Sequence, residues 1–216
     1  HLGDWNSEVC SSDLRKGEWR RFLLAFSYFF FLFARYFMLR PIRGAISANH
    51  VESLHWLYTA TFLSMLLIVP VFGWLVSKFR RGRFIPGIYL FFISNLIFFI
   101  YAFKDDQTGD WVQYSFYVWL SVFNLFVVLL FWVFMADIFR PGQAPRLFGS
   151  IMAGGSLGAM AGPLLTANWV GQIGSGGVMT LATTFLLIAT FFAIILGRFE
   201  RRQHQEKPTS VIGGSV

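Results

Sequence analysis

Six stretches of this chain, at positions 22–39, 55–76, 84–103, 111–136, 147–170 and 178–197, are apolar over lengths that can cross a bilayer. Arg35 is the one Asp, Glu, Lys or Arg within them. A helix needs about 20 mostly apolar residues to traverse a hydrocarbon core of roughly 30 Å. Transmembrane β-strands are shorter and alternate in polarity; these stretches do neither, so each reads as a helix. Charged residues make up 13% of the chain, about half the share of an ordinary soluble domain. The expected fold is an all-α membrane protein, a six-transmembrane-helix bundle over 15–202.

A formal net charge of +7 raises the question of nucleic acid, and the placement of the basic residues answers it. Arg15, Lys16, Arg20 and Arg21 precede the first span, and Lys78, Arg80, Arg81 and Arg83 separate the second from the third. Arg140 and Arg146 separate the fourth from the fifth, while Arg198, Arg201, Arg202 and Lys207 follow the sixth. The alternate side holds Arg40, Arg43 and Lys104. Basic loops stay cytoplasmic, so both termini are expected inside, and the charge is explained without a nucleic-acid partner. Trp56, Tyr58, Tyr101, Trp111, Tyr114 and Trp169 fall at the expected outer ends and Trp19 and Trp74 at the inner ones, where ring side chains favour the headgroup layer.

The opening "DWNSEVCSSDL" is polar and holds the single cysteine, Cys10. It resembles the translation of a sequencing adapter, so residues 1–14 are read as non-native or disordered and set aside from fold reasoning. No cleavable leader is expected, because the first apolar run is long enough to remain in the membrane. One cysteine excludes a disulfide framework. The closing "KPTSVIGGSV" within 203–216 is expected to be a cytoplasmic linker, cut short, leading to a missing carboxy-terminal half of six further spans.

Arg35 lies 14 residues beyond Arg21, about 21 Å of helix rise, which is past the bilayer midplane. An arginine at a span centre costs roughly 2.5 to 3.5 kcal/mol on insertion scales. With Ser27 and Tyr28 it forms a polar stripe on one side of the first span. Two readings stand: an anion-binding group facing a cavity, or an arginine that snorkels to headgroups or packs against backbone carbonyls. Arg40 and Arg43 flank Pro41, which weakens the helix there. If the helix continues they share a face as a cationic mouth for a solute, or else they bind lipid phosphates, since arginine's planar fork suits either anion.

Asn95 and Asn124 are expected to serve structure through interhelical hydrogen bonds, and His50 and His55 to be solvated. No histidine pair has metal-ligand spacing beside a carboxylate in one helix, so no metal site is expected. No nucleophile–base set or phosphate-cradling loop appears, so neither enzymatic chemistry nor a cofactor is expected.

The segment "GWLVSKFRRGRF", with Gly73, Leu75, Lys78, Arg80 and Arg81, resembles the signature loop between the second and third helices of the major facilitator superfamily, with Ser77 where that family usually has Asp. The resemblance implies that Asp137, at the end of the fourth span, pairs with this loop as a cytoplasmic gate latch. Its spacing equally allows a local pair with Arg140. In "RLFGSIMAGGSLGAMAGPLL", Gly154, Gly158 and Gly162 recur every four residues and Pro163 follows. That pattern permits close helix packing, and it resembles the glycine-proline motif of antiporters in the same superfamily, which implies a moving, leak-tight contact.

Together with "YFMLRPIR" and "FNLFVVLLFWVFMADIF", these segments resemble the bacterial branch of the ATP/ADP antiporter (nucleotide carrier) family from about Arg20 to Arg202. The well-studied nucleotide exchangers have lysines and glutamates within their spans, and this chain has neither. The resemblance implies the amino-terminal half of a secondary transporter for an organic anion, a nucleotide or another phosphorylated metabolite. Arg35, Ser27, Tyr28, Arg40 and Arg43 would meet the solute, and membrane lipids would surround the bundle. A proton-coupled drug exporter, a lipid or lysolipid flippase of the same fold and a non-transporting scaffold are the other classes open to such a chain.

Overall fold

The computed structural model describes residues 16–78, 81–103, 109–138 and 144–205. Among these, every regular element is helical: α1 (Lys16–Asn49), a short 3-10 turn (Val51–Ser53), α2 (Leu54–Lys78), α3 (Arg81–Ala102), α4 (Asp110–Ile138) and α5 (Ala144–Gln205). All five α-helices are long and apolar enough to cross a membrane. In hydrocarbon a backbone that leaves the helix strands its polar groups without partners, which explains why so few of the described residues do so.

The same constraint corrects two boundaries. The first span was expected to weaken at Pro41, yet α1 runs through that proline to Asn49, so Arg40, Pro41 and Arg43 are all helical. The expected loop from Gly73 to Phe84 is likewise mostly helix, because α2 extends to Lys78 and α3 begins at Arg81.

The fifth and sixth expected spans merge into α5, which spans 62 residues and is interrupted at Gly174, where φ is 65° and ψ −178°. An L-residue with a side chain rarely adopts such a φ. Contacts on either side of the break show how the chain proceeds. Gly158 packs against the backbone of Phe30, while the rings of Phe185 and Phe192 pack against Phe31 at 5.3 and 5.9 Å. A straight helix would separate Gly158 from Phe185 by about 40 Å, so α5 doubles back at Gly174 and sets both limbs against α1.

Residue pairing also gives direction. A Cβ added at Gly154 would lie 2.8 Å from the Phe26 carbonyl, and one at Gly162 would lie 2.5 Å from that of Ala34. Both series advance by four, so α1 and the first limb of α5 run parallel with their backbones in contact. Against α4 the order reverses. Tyr28 meets Phe131 at 5.2 Å, Arg35 meets Phe123 at 4.1 Å, and Arg43 meets Tyr117 at 4.3 Å. Helix α2 runs parallel to α4, with Tyr58 on Tyr117 and Phe72 on Phe126; α3 runs antiparallel to it, through Phe92 on Phe123 and Phe99 on Phe116. Helix α1 thus has a smooth side on the first limb of α5 and a ring-filled side on α4.

Candidate functional site

Arg35 projects from the middle of α1 into the bundle and is fully buried. Its guanidinium carbon stands 4.1 Å from the centre of the Phe123 ring, and Nη2 donates to Oδ1 of Asn124 at 3.5 Å. That bond is at the long limit of useful geometry. Nε and Nη1 have no hydrogen-bond partner, and no carboxylate is among the partners found for this cation in the described residues. A desolvated cation–π contact contributes about 2 kcal/mol. It leaves a five-donor group with most of its hydrogen-bonding capacity unused in a place where unused capacity is costly.

Around it, Tyr28 is fully buried and its hydroxyl is hydrogen-bonded to that of Tyr89 on α3. Ser27, one step along, is half-buried. The expected stripe of Ser27, Tyr28 and Arg35 therefore lies on the protein-facing side of α1. Asn124 makes the expected kind of interhelical hydrogen bond, accepting from Arg35. Asn95 instead bonds within its own helix, its amide donating to the Phe91 carbonyl at 2.7 Å.

Toward the carboxyl end of α1 the two further arginines part company. Arg43 is half-buried, stacks its guanidinium 4.3 Å from the Tyr117 ring and donates from Nη2 to the Tyr117 hydroxyl at 3.0 Å. Its Nε is buried without a partner. Arg40 is exposed and lies 5.7 Å from the Phe37 ring of its own helix. The expected shared mouth is thus divided between an inward and an outward cation.

His50 corrects the expectation of a solvated side chain: it is 17% exposed. Its ring nitrogens contact Gln113 Oε1 at 3.1 Å and the Tyr114 hydroxyl at 3.2 Å, and Asp110 lies 3.8 Å away. The Tyr114 hydroxyl donates in turn to Ser53 at 3.2 Å. Asp110, Gln113 and Tyr114 share one face of the first turn of α4. That spacing was the sequence signal for this clasp.

At the opposite end, Gly73 is exposed within α2, and Lys78, also exposed, lies 4.8 Å from the Trp74 ring. Asp137 is exposed near the end of α4, and Arg81 is the first residue of α3. Arg80 and Arg140 lie outside the described residues. Gly154, Gly158 and Gly162 do meet α1, as does Thr166, whose hydroxyl lies 3.4 Å from the Met38 carbonyl. Pro163 sits on the exposed side of α5. Among the described residues no cluster of potential metal ligands occurs.

A sequence model of the Major Facilitator Superfamily matches residues 16–214, all of the helical region. The chain belongs to the major facilitator superfamily. Neither a search of curated proteins nor one of solved structures gave a match. Each six-helix half of a major facilitator protein is built from two inverted three-helix repeats, and one pair of contacts here is related as such repeats would relate them. The parallel contact of α1 with the first limb of α5 corresponds to the parallel contact of α4 with α2. As a major facilitator protein with long apolar helices, the chain is a multi-pass membrane protein of the secondary-transporter class.

Proposed function

We propose that this major facilitator protein is the amino-terminal half of a carrier that moves an organic anion by alternating access, with Arg35 as the group that meets the anion. In this reading α5 crosses the membrane twice, which makes six crossings with both termini cytoplasmic in a bacterial inner membrane. The observation that carries the proposal is the guanidinium of Arg35, buried over Phe123 with two nitrogens unpartnered and no carboxylate beside it among the described residues. An uncompensated buried cation is costly, and a solute that supplies the missing charge recovers interactions that the protein alone lacks.

Ser27 and Tyr28 line the approach to Arg35, and Arg40 and Arg43 draw the anion from the outer face. Lys78, Arg80, Arg81 and Asp137, with Gly73, form the inward gate. Gly154, Gly158, Gly162 and Pro163 keep α1 sealed to α5 while the halves rock. No cofactor takes part. The resemblance to nucleotide carriers supports a nucleotide or another phosphorylated metabolite as the solute.

The test is exchange in vesicles reconstituted with the complete carrier and labelled nucleotides, phosphates and carboxylates. Removing one member of a buried charge contact costs about 2 to 5 kcal/mol, so Arg35→Ala is expected to weaken apparent affinity by about 30-fold or more. Unchanged rate and affinity would end the assignment of Arg35 to the solute.

A further inference from the structure

The two sides of α1 differ in what fills them. Against the first limb of α5, glycines bring backbone against backbone, leaving no room for a guest there. On the α4 side the helices are held apart by rings and guanidinium groups: Arg35 on Phe123 and, two turns away, Arg43 on Tyr117. Five buried side-chain polar atoms lack a partner among the described residues, and three of them belong to these two arginines: Nε and Nη1 of Arg35 and Nε of Arg43. Unused donors are therefore concentrated along one seam, at two points.

The spacing decides what kind of ligand can use both. Eight residues of helix separate the two arginines by about 12 Å of rise. One carboxylate or phosphate accepts from a guanidinium at about 2.7 to 2.9 Å, so a single small anion held between two guanidinium groups needs their carbons within about 8 Å. Seated on Phe123 and Tyr117, which lie six residues and about 9 Å of rise apart on α4, the two guanidinium groups are better matched by a solute with two separated charges than by one small anionic group. Burial is also graded, since Arg43 is half-buried while Arg35 is fully buried. Arg43 is therefore the more accessible point, and Arg35 the deeper one.

We propose that Arg35 and Arg43 form a two-point site for an elongated dianion, with a carboxylate or phosphate at each end, lying along the α1–α4 seam with one end on each guanidinium. This rests on the reading of Arg35 as an anion-binding group, and it adds the solute's charge pattern and length. Once one end is bound, the other is presented to the second arginine at high effective concentration, so the gain over a monoanion depends on chain length. The aromatic partners remain in place beneath the cations, because stacking uses the guanidinium face and the anion uses its edge. Because α1 is anchored to α5 by the glycine contact, α4 is the wall that yields to admit the solute.

Calorimetric titration of the purified protein in detergent tests this with malonate, adipate and suberate against propionate and hexanoate, and with hexane-1,6-diol bisphosphate against inorganic phosphate. The longer dianions of at least one series are expected to bind about tenfold or more tighter than malonate or the matched monoanion. Arg43→Gln costs adipate about tenfold more than it costs hexanoate and so brings the two to the same level, whereas Arg35→Gln removes both. Arg43→Lys retains part of the dianion preference, and Tyr117→Phe, which keeps the ring and removes the acceptor hydroxyl, retains most of it. These two variants carry the test if thermal unfolding shows that Arg43→Gln does not fold. Equal affinity for dianion and monoanion, no dependence on length, or an equal loss for hexanoate and adipate in Arg43→Gln would overturn the two-point site and leave Arg35 as a single-anion group. Absence of saturable binding by any probe would remove the anion reading of Arg35 as well.

Discussion

Arg35 is a residue whose position costs the fold more than it returns, and that imbalance can be measured. Its cation–π contact and one long hydrogen bond offset part of the cost of holding a charge away from water. Replacing a buried charge by an apolar side chain of similar volume is often neutral or stabilises by about 1 to 4 kcal/mol. Arg35→Met is accordingly expected to leave the thermal unfolding temperature of the purified, anion-free protein equal or higher while exchange is lost. A drop equivalent to more than about 2 kcal/mol would mean that the arginine holds the bundle together. The sequence marked Arg35 because it was the one charge in an apolar run. It could not reveal Phe123 and Asn124 as its partners, which lie some 90 positions away on a helix apolar on every side. Arg43 and Tyr117 escaped pairing for the same reason, and His50 was misread because its partners belong to the start of α4.

At the scale of a helix, the glycines divide into those with a neighbour and those without. A Cβ at Gly158 would run into the Phe30 carbonyl and the Ala34 amide, whereas one at Gly149, on the same helix, meets nothing within 4 Å. Gly158→Ala must push α5 away from α1, and overpacking of this kind costs about 1 to 3 kcal/mol. Gly149→Ala relieves a flexible residue in a helix and is expected to be neutral or to stabilise by up to about 1 kcal/mol. Thermal unfolding of the two single variants measures the contrast directly. Equal values would mean that α1 and α5 are not in backbone contact. The four-residue glycine spacing made this packing face legible in advance. The passage of α1 through Pro41 was not, because the rule that proline weakens a helix comes from water, and in a bilayer the helix persists for want of any other partner for its backbone.

For the whole molecule, long apolar helices were legible and neighbour relations were not. Apolarity over about 20 residues identifies a crossing by itself, but in lipid a helix need not show a polar outer face and an apolar inner one, so the pattern that orients a soluble helix is absent. That α1 lies between α4 and both limbs of α5 emerged from contacts, and the reversal at Gly174 is the element on which the crossing count turns. If α5 crosses twice, Glu52 and Ser175 share one side of the membrane and Lys78 lies on the other. All three are exposed. In a Cys10→Ser background, single cysteines at these positions can be tested in intact cells with a membrane-impermeant maleimide. Glu52→Cys and Ser175→Cys are expected to label, and Lys78→Cys to label once the membrane is permeabilised. Protection of Ser175→Cys with labelling of Glu52→Cys would end the six-crossing reading. Labelling of Lys78→Cys alone would keep the bundle and reverse its orientation, and the basic loops would then have failed as a guide to which face is cytoplasmic.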